Sequence, residues 1–430
     1  MLERLFAIQA RGSSVGTELL AGLTTFLTMA YIIIVNPAIL AEAGMPHGAV
    51  FVATCLAAAG GSLVMGLLAN YPIALAPGMG LNAYFTYTVV LGQGHSWPVA
   101  LGAVFLSGLA FLALVATPAR DLIITAIPRS LKLAISAGIG LFLGLIALKN
   151  AGIIVADPAT LVTLGDLGRP APLLAILGLV VMAALEARRV PGAILIGILL
   201  TAGAGMALGV SPFGGVVAAP PSLAPTFLAM EVKGAFDLGL ATIIFAFLFV
   251  VLFDNVGTLV GLTHRSGLTD ATGRIPGLGR VLIADAVAAT GGAMLGTSPT
   301  TSYIESAAGI KAGGRTGLTA ITVAGLFLLA LLFSPLAASI PPYATAPALL
   351  FVACLMTGGL ADIAWDDVTE AVPATLTALA MPLTFSIAHG ITFGLISFAA
   401  IKLLAGRGRE VGGTVWLLAA AALAHHLLAG

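Results

Sequence analysis

Apolar runs near the length of a bilayer crossing recur along this chain from Gly22 onward, separated by short loops carrying Pro, Gly and charge. A crossing helix needs about 20 apolar residues, and a chain made almost entirely of such runs has one solvent in which to fold. Composition agrees: of 430 residues 59% are hydrophobic and 8% charged, where a soluble domain carries roughly a quarter charged residues. The sequence therefore predicts an all-α polytopic membrane protein. Spans are expected near 17–36, 49–69, 73–91, 98–117, 131–149, 172–186 and 191–209, then near 239–262, 281–297, 299–310, 316–338, 345–361, 373–387 and 390–404. Val415 to Leu428 forms a further apolar stretch outside this count.

The 18 basic and 18 acidic residues balance, which gives no footprint for nucleic acid. Their placement is more informative. With a cytoplasmic N-terminus and fourteen crossings, 15 of the 18 Lys and Arg residues fall on the cytoplasmic side, leaving Lys149, Arg169 and Lys233 outside. The N-terminal segment lacks the cleavage pattern of a removable signal peptide, so the first span is expected to stay in a cell (plasma or inner) membrane. Cys55 and Cys354 are too few for a disulfide framework and read as small core residues.

An internal repeat divides the chain. LAAAGGSLVMG at 56–66 resembles AVAATGGAMLG at 286–296, with Gly60 and Gly291 231 positions apart. Seven spans per half is an odd number, so the second copy enters the membrane inverted, as in many secondary transporters. In each half the repeat is followed by a span that cannot be a continuous helix. The first reads NYPIALAPGMGLNAYF, with Pro72, Pro77, Gly78 and Gly80; the second reads GTSPTTSYIESAAGI, with Pro299 before a hydroxyl-rich run. Proline removes a backbone donor and clashes with the preceding turn, and unwound backbone at membrane depth survives only where protein or a cavity shelters it. Short extended stretches are expected at Ile73 to Ala76 and Thr300 to Tyr303, each leading into a half-helix whose N-terminal end faces a binding site.

Acids at membrane depth are costly and are functional candidates by default. Three stand out: Asp254 in FVVLFDNVGTLVG, Asp285 in VLIADAVAATGG and Glu305 in SYIESAAGI; Asp285 lies in the first turns of its span, where capping, pairing with Arg280 or hydration is the favoured alternative to a site role. Asp254 and Glu305 approach each other if the eighth span packs beside the broken tenth. Carboxylates in a partly dry site can hold a proton at neutral pH and can accept hydrogen bonds from ring N–H and amino donors of a neutral heterocycle. Asn82, Asn255, Thr258 and Ser302 supply polar neighbours, and Phe26, Phe85 and Tyr303 supply flat faces for stacking. For each of these the alternative is ordinary helix packing or interhelical hydrogen bonding. No Gly-Lys-Ser/Thr phosphate loop or metalloprotease motif is present.

These segments, with LTTFLTMAYIIIVNP near the N-terminus, together resemble the AzgA-like adenine/guanine/hypoxanthine permease branch of the nucleobase:cation symporters, a part of the xanthine/uracil permease superfamily, over essentially the whole chain. The resemblance implies fourteen spans in two inverted sets of seven. It implies a core domain of residues 1–117 and 231–338, a gate domain of residues 118–230 and 339–430, and dimerisation through the gate. It also implies import of purine bases by proton symport, Asp254 and Glu305 holding the purine, and Asn82 as a third polar contact. Thr258 stands where uracil permeases carry His, which favours purines; Asn255 departs from the more usual Thr. No cofactor is implied beyond the proton as coupling ion, with sodium the alternative, and the expected partners are the purine and membrane lipid. Competing readings are an anion transporter of the same fold, which two acids at the site disfavour, a channel, or a membrane-embedded enzyme.

Overall fold

The computed structural model describes residues 2–117, 128–236, 238–266 and 275–429. Nine helices among them are long and apolar enough to cross a membrane, from Val15–Glu42 to Ile387–Leu404. Shorter apolar helices cover Ala193–Ala207, Ile243–Leu252 and Val368–Leu383. The segment at Val415 to Leu428 lies in a helix, Gly413–Ala429, that packs on the Ile387–Leu404 helix. Cys55 is buried as expected, whereas Cys354 is exposed on the apolar surface of the Pro342–Thr357 helix.

Both irregular spans are broken where their prolines require it. The strands are β1 (Leu75–Pro77), the hairpin strands β2 (Ile154–Asp157) and β3 (Leu161–Leu164), and β4 (Thr300–Ser302). β1 and β4 pair antiparallel, Leu75 opposite Ser302 and Pro77 opposite Thr300, so each interrupted span satisfies the other's backbone. Flanking bonds extend the crossing, from Tyr303 N to Ala74 O at 3.0 Å and from Gly78 N to Pro299 O at 3.0 Å. Neighbouring helices serve what remains: Ser62 Oγ accepts from Leu75 N at 2.9 Å, and Ser306 Oγ accepts from Ala74 N at 3.0 Å. This internal satisfaction is what allows extended backbone at membrane depth.

The repeated Gly-Gly pairs are arranged around this crossing. A side chain on the first glycine of each pair, Gly60 or Gly291, would meet nothing within 4 Å. On the second it would press on the strands: a Cβ at Gly61 would lie 3.1 Å from Leu75 Cβ, and one at Gly292 2.7 Å from Thr300 Oγ1. Gly61→Val and Gly292→Val are therefore expected to destabilise the protein by about 1–3 kcal/mol each, and Gly60→Val and Gly291→Val far less. Thermal unfolding of the four purified variants measures the contrast, and equal losses within each pair would remove the packing explanation.

By internal contact the chain forms two units, residues 1–116 with 150–348 and residues 117–149 with 349–430. Of the expected gate, 118–230 with 339–430, residues 150–230 and 339–348 group by contact with the larger unit. There the Pro170–Ala187 and Ala193–Ala207 helices pack on each other, and the latter also packs on Val15–Met29. The expected boundary at residue 118 falls among residues 118–127, outside the described residues. Within the larger unit the His47–Val64 and Leu278–Leu295 helices pack against both crossed strands, Trp97–Val115 packs on Leu278–Leu295, and Gly317–Ala330 packs on His47–Val64.

The smaller unit carries a charge network. Lys402 is buried and binds Glu370 and Glu410, each at 2.8 Å, while Ser130 bonds Glu370. At the loop end Thr369 and Arg407 hold the Asp367 carboxyl down to about 2, and Arg407 and then Lys402 do the same to Glu410. Folded values below the ordinary carboxylate values, roughly 4, contribute stability that is present above pH 4 and lost as pH falls from about 4 to 2. The melting temperature is expected to drop across that window, and less steeply in the Asp367→Asn, Glu410→Gln double variant. An identical slope in both proteins would exclude this network as a source of acid sensitivity.

Candidate functional site

The strand crossing gathers most of the polar residues singled out in the sequence. The Leu238–Ser266 helix packs against both β4 and the Ser306–Lys311 helix that follows it, which brings Asp254 and Glu305 within electrostatic reach of each other. Asp254 and Thr258 are half-buried, four residues apart on one face of that helix, and Glu305 is half-buried as well. Asn255 is fully buried, and its Oδ1 accepts a hydrogen bond from Ser302 N at 3.0 Å. From the first broken span comes Asn82, in the Met79–Ala83 helix immediately after β1; its Oδ1 accepts from Ser298 Oγ.

The aromatic candidates occupy different places. Tyr303 is buried, and its Oη donates to Pro77 O at 2.6 Å, bracing one extended segment against the other. Phe85 is fully buried in the helix following Asn82. Phe26 packs edge-on against Phe327 with ring centroids 5.2 Å apart.

Three participants were not assigned to the site from sequence. Asp285, for which the sequence favours capping, pairing with Arg280 or hydration, is instead fully buried, and its Oδ1 accepts from Ser302 Oγ at 2.8 Å. Asp285 is the eighth residue of the Leu278–Leu295 helix, two turns in from its start, so it lies past the exposed Arg280 in the stretch that neighbouring elements cover. Tyr31 donates from Oη to Glu305 Oε1 at 2.5 Å. It sits at the bend between the Val15–Met29 and Ile32–Glu42 helices, and a lone phenol inside LTMAYIIIV was the available signal, since a buried Tyr hydroxyl usually has a partner. Ser298, next to Pro299, is the third.

Several polar atoms near the crossing are buried without a partner among the described residues: Asn82 Nδ2, Asn255 Nδ2, Tyr84 Oη, Asp285 Oδ2 and Thr300 Oγ1. Buried polar groups are normally paired. The set holds donors and acceptors together, beside two half-buried carboxylates with spare lone pairs. Such an arrangement can bind a neutral molecule bearing several N–H groups and ring acceptors, and it disfavours an anion.

Comparison with known proteins bears on this geometry. The family model Xan_ur_permease, described as a permease family, matches residues 16–393. The adenine permease AdeP of Escherichia coli strain K12 is 48% identical over 97% of this chain and 94% of its own length. The guanine/hypoxanthine permease PbuG of Bacillus subtilis strain 168 is 47% identical over 95% of this chain and 96% of its own. Among solved structures, the transmembrane domain of the cyanobacterial bicarbonate transporter BicA aligns with a TM-score of 0.65 at 16% identity, covering 87% of this chain and 97% of that domain. At that identity the likeness concerns the fold: two inverted sets of seven segments organised as core and gate.

Proposed function

The chain belongs to the Xan_ur_permease family of permeases, and we propose that it is a secondary transporter importing purine nucleobases, adenine, guanine and hypoxanthine, by proton symport through alternating access. The observation that carries this reading is the crossing of β1 and β4 with Asp254, Asp285 and Glu305 around it. In the proposed complex Asp254 and Glu305 accept hydrogen bonds from the N–H edge of the base, and Asn82, Asn255, Thr258 and Ser302 complete its polar contacts. Phe85 and Tyr303 are the aromatic residues proposed to bound the site, while Phe26, which packs on Phe327 and lines an apolar cleft, is assigned to packing. Asp285 acts through Ser302 as a positioning residue.

Glu305 is the proposed proton carrier, with Asp254 second. It faces the site on one side and bonds Tyr31 on the other, so proton and base reach the same carboxyl group. The membrane potential then drives import, one charge being worth about 2.3 kcal/mol per 100 mV, and no nucleotide is consumed. We place the N-terminus in the cytoplasm of a cell-membrane protein and propose a homodimer through the gate domain. The names of AdeP and PbuG support purines as the substrate class.

The test is uptake of radiolabelled hypoxanthine into proteoliposomes with an inward proton gradient, competed by adenine, guanine, xanthine, uracil and sulfate. Uptake abolished by an uncoupler and competed by purines alone supports the proposal. Uptake that follows a sodium gradient instead overturns proton coupling. Transport of sulfate or uracil in place of purines overturns the substrate assignment.

A further inference from the structure

The bend that carries Tyr31 also borders an apolar cleft. Phe26 on the Val15–Met29 helix, Ala30 at the bend, Leu195 and Leu199 on the Ala193–Ala207 helix, and Ala330 and Ala337 are among the residues that enclose a cleft of about 180 Å³, and every side chain lining it is apolar. That is somewhat more space than the roughly 150 Å³ that stays dry and takes up benzene in an engineered protein cavity. A base, an ion or a lipid headgroup placed there would leave its polar atoms buried and unpaired.

The cleft opens onto the apolar exterior of the larger unit. Two of its lining residues, Leu199 and Leu329, are 37% and 55% exposed, and Leu200, Leu328 and Leu332 beside them are exposed too. This surface is continuous with the lipid-facing exterior of an integral membrane protein, where the surrounding solvent is acyl chain. Deeper in, Ala30, Ala330 and Ala337 are 1%, 4% and 3% exposed, so only a narrow group entering the cleft reaches them.

We propose that this cleft binds one acyl chain of a membrane phospholipid, seated against the Phe26 to Ile34 segment. The inference rests on membrane placement and stands apart from the substrate assignment. A chain in the cleft packs beside Ala30, next to Tyr31, whose hydroxyl holds Glu305. The lipid thereby props the bend from which that bond is made.

The full chain reconstituted in vesicles of phosphatidylcholine with a mid-chain diazirine tests this by irradiation, digestion and mass spectrometry. Adducts are expected on the segments holding Ala30, Ala330 and Ala337, about threefold or more above those on Leu177 and Val180, which are 60% and 59% exposed but outside the cleft. Leu199→Phe, at a partly exposed position, and Ala337→Phe, deeper in, narrow the cleft and should each reduce its adducts to the Leu177 level while leaving Leu177 labelled. Adducts that simply follow surface exposure, with Ala30 and Ala330 unlabelled, would overturn the site, as would cleft labelling that neither folded variant lowers. The wild-type pattern decides the question even where a variant does not fold.

Discussion

Glu305→Gln is expected to abolish accumulation of purine against its gradient while exchange of internal for external base persists. Glutamine keeps the length of the side chain and an Oε1 that can accept from Tyr31 Oη, bonded at 2.5 Å in the native protein, so the junction between the bend and the second broken span stays intact. What it removes is the capacity to take up and release a proton. With one proton per base, one pH unit across the vesicle membrane is worth about 1.4 kcal/mol, roughly a tenfold concentration ratio at equilibrium. The variant should level off at a ratio of about 1 while still catalysing counterflow of labelled hypoxanthine. Accumulation to the wild-type ratio would show that the coupling proton is carried elsewhere, with Asp254 next in line. Loss of both accumulation and counterflow would show that the charged carboxylate is required for base binding or exchange itself and would overturn the expected separation.

The second large effect is expected at Asp254. Its helix anchors the crossing independently, through Asn255 to Ser302 N at 3.0 Å, and alanine is the best helix former. Asp254→Ala should therefore leave the fold in place and remove one charged acceptor from the base. A hydrogen bond to a charged group is worth about 1.5–3 kcal/mol, so the dissociation constant for hypoxanthine should rise roughly 10- to 150-fold. Equilibrium binding to detergent-purified protein measures this without any gradient. An unchanged constant would take Asp254 out of the site and leave Glu305 as its sole half-buried carboxylate.

The two expectations separate the roles of two acids that sequence alone treats alike. Asp254 lies inside a regular helix, where its side chain is presented to whatever packs opposite. Glu305 directly precedes a helix of six residues, Ser306–Lys311, at the end of the extended segment. Its position therefore depends on the strand pairing and on Tyr31, so changes at Gly61, Gly292 or the bend are expected to reach Glu305 sooner than Asp254.

Much of this protein was determined by sequence through solvent and periodicity. Apolar runs of bilayer length specify the helices and their approximate limits, because in lipid the backbone has few other ways to satisfy itself. Pro72, Pro77 and Pro299 specify where two spans break, since the missing donors and the ring clash are local, and the repeated Gly-Gly pairs mark corresponding places in the two halves. Asp254, Glu305 and Asn82 were legible because polar side chains stand out against an apolar background. The tertiary structure decided the rest, where the partner lies far along the chain. That β1 and β4 pair, that Asn255 and Asp285 both hold Ser302, and that Tyr31 reaches Glu305 across 274 positions follow from which helices pack around the crossing. Asp285 shows the reason most directly: two turns into a helix a sequence cannot distinguish an acid that meets water from one covered by another span, because burial is a property of the neighbours.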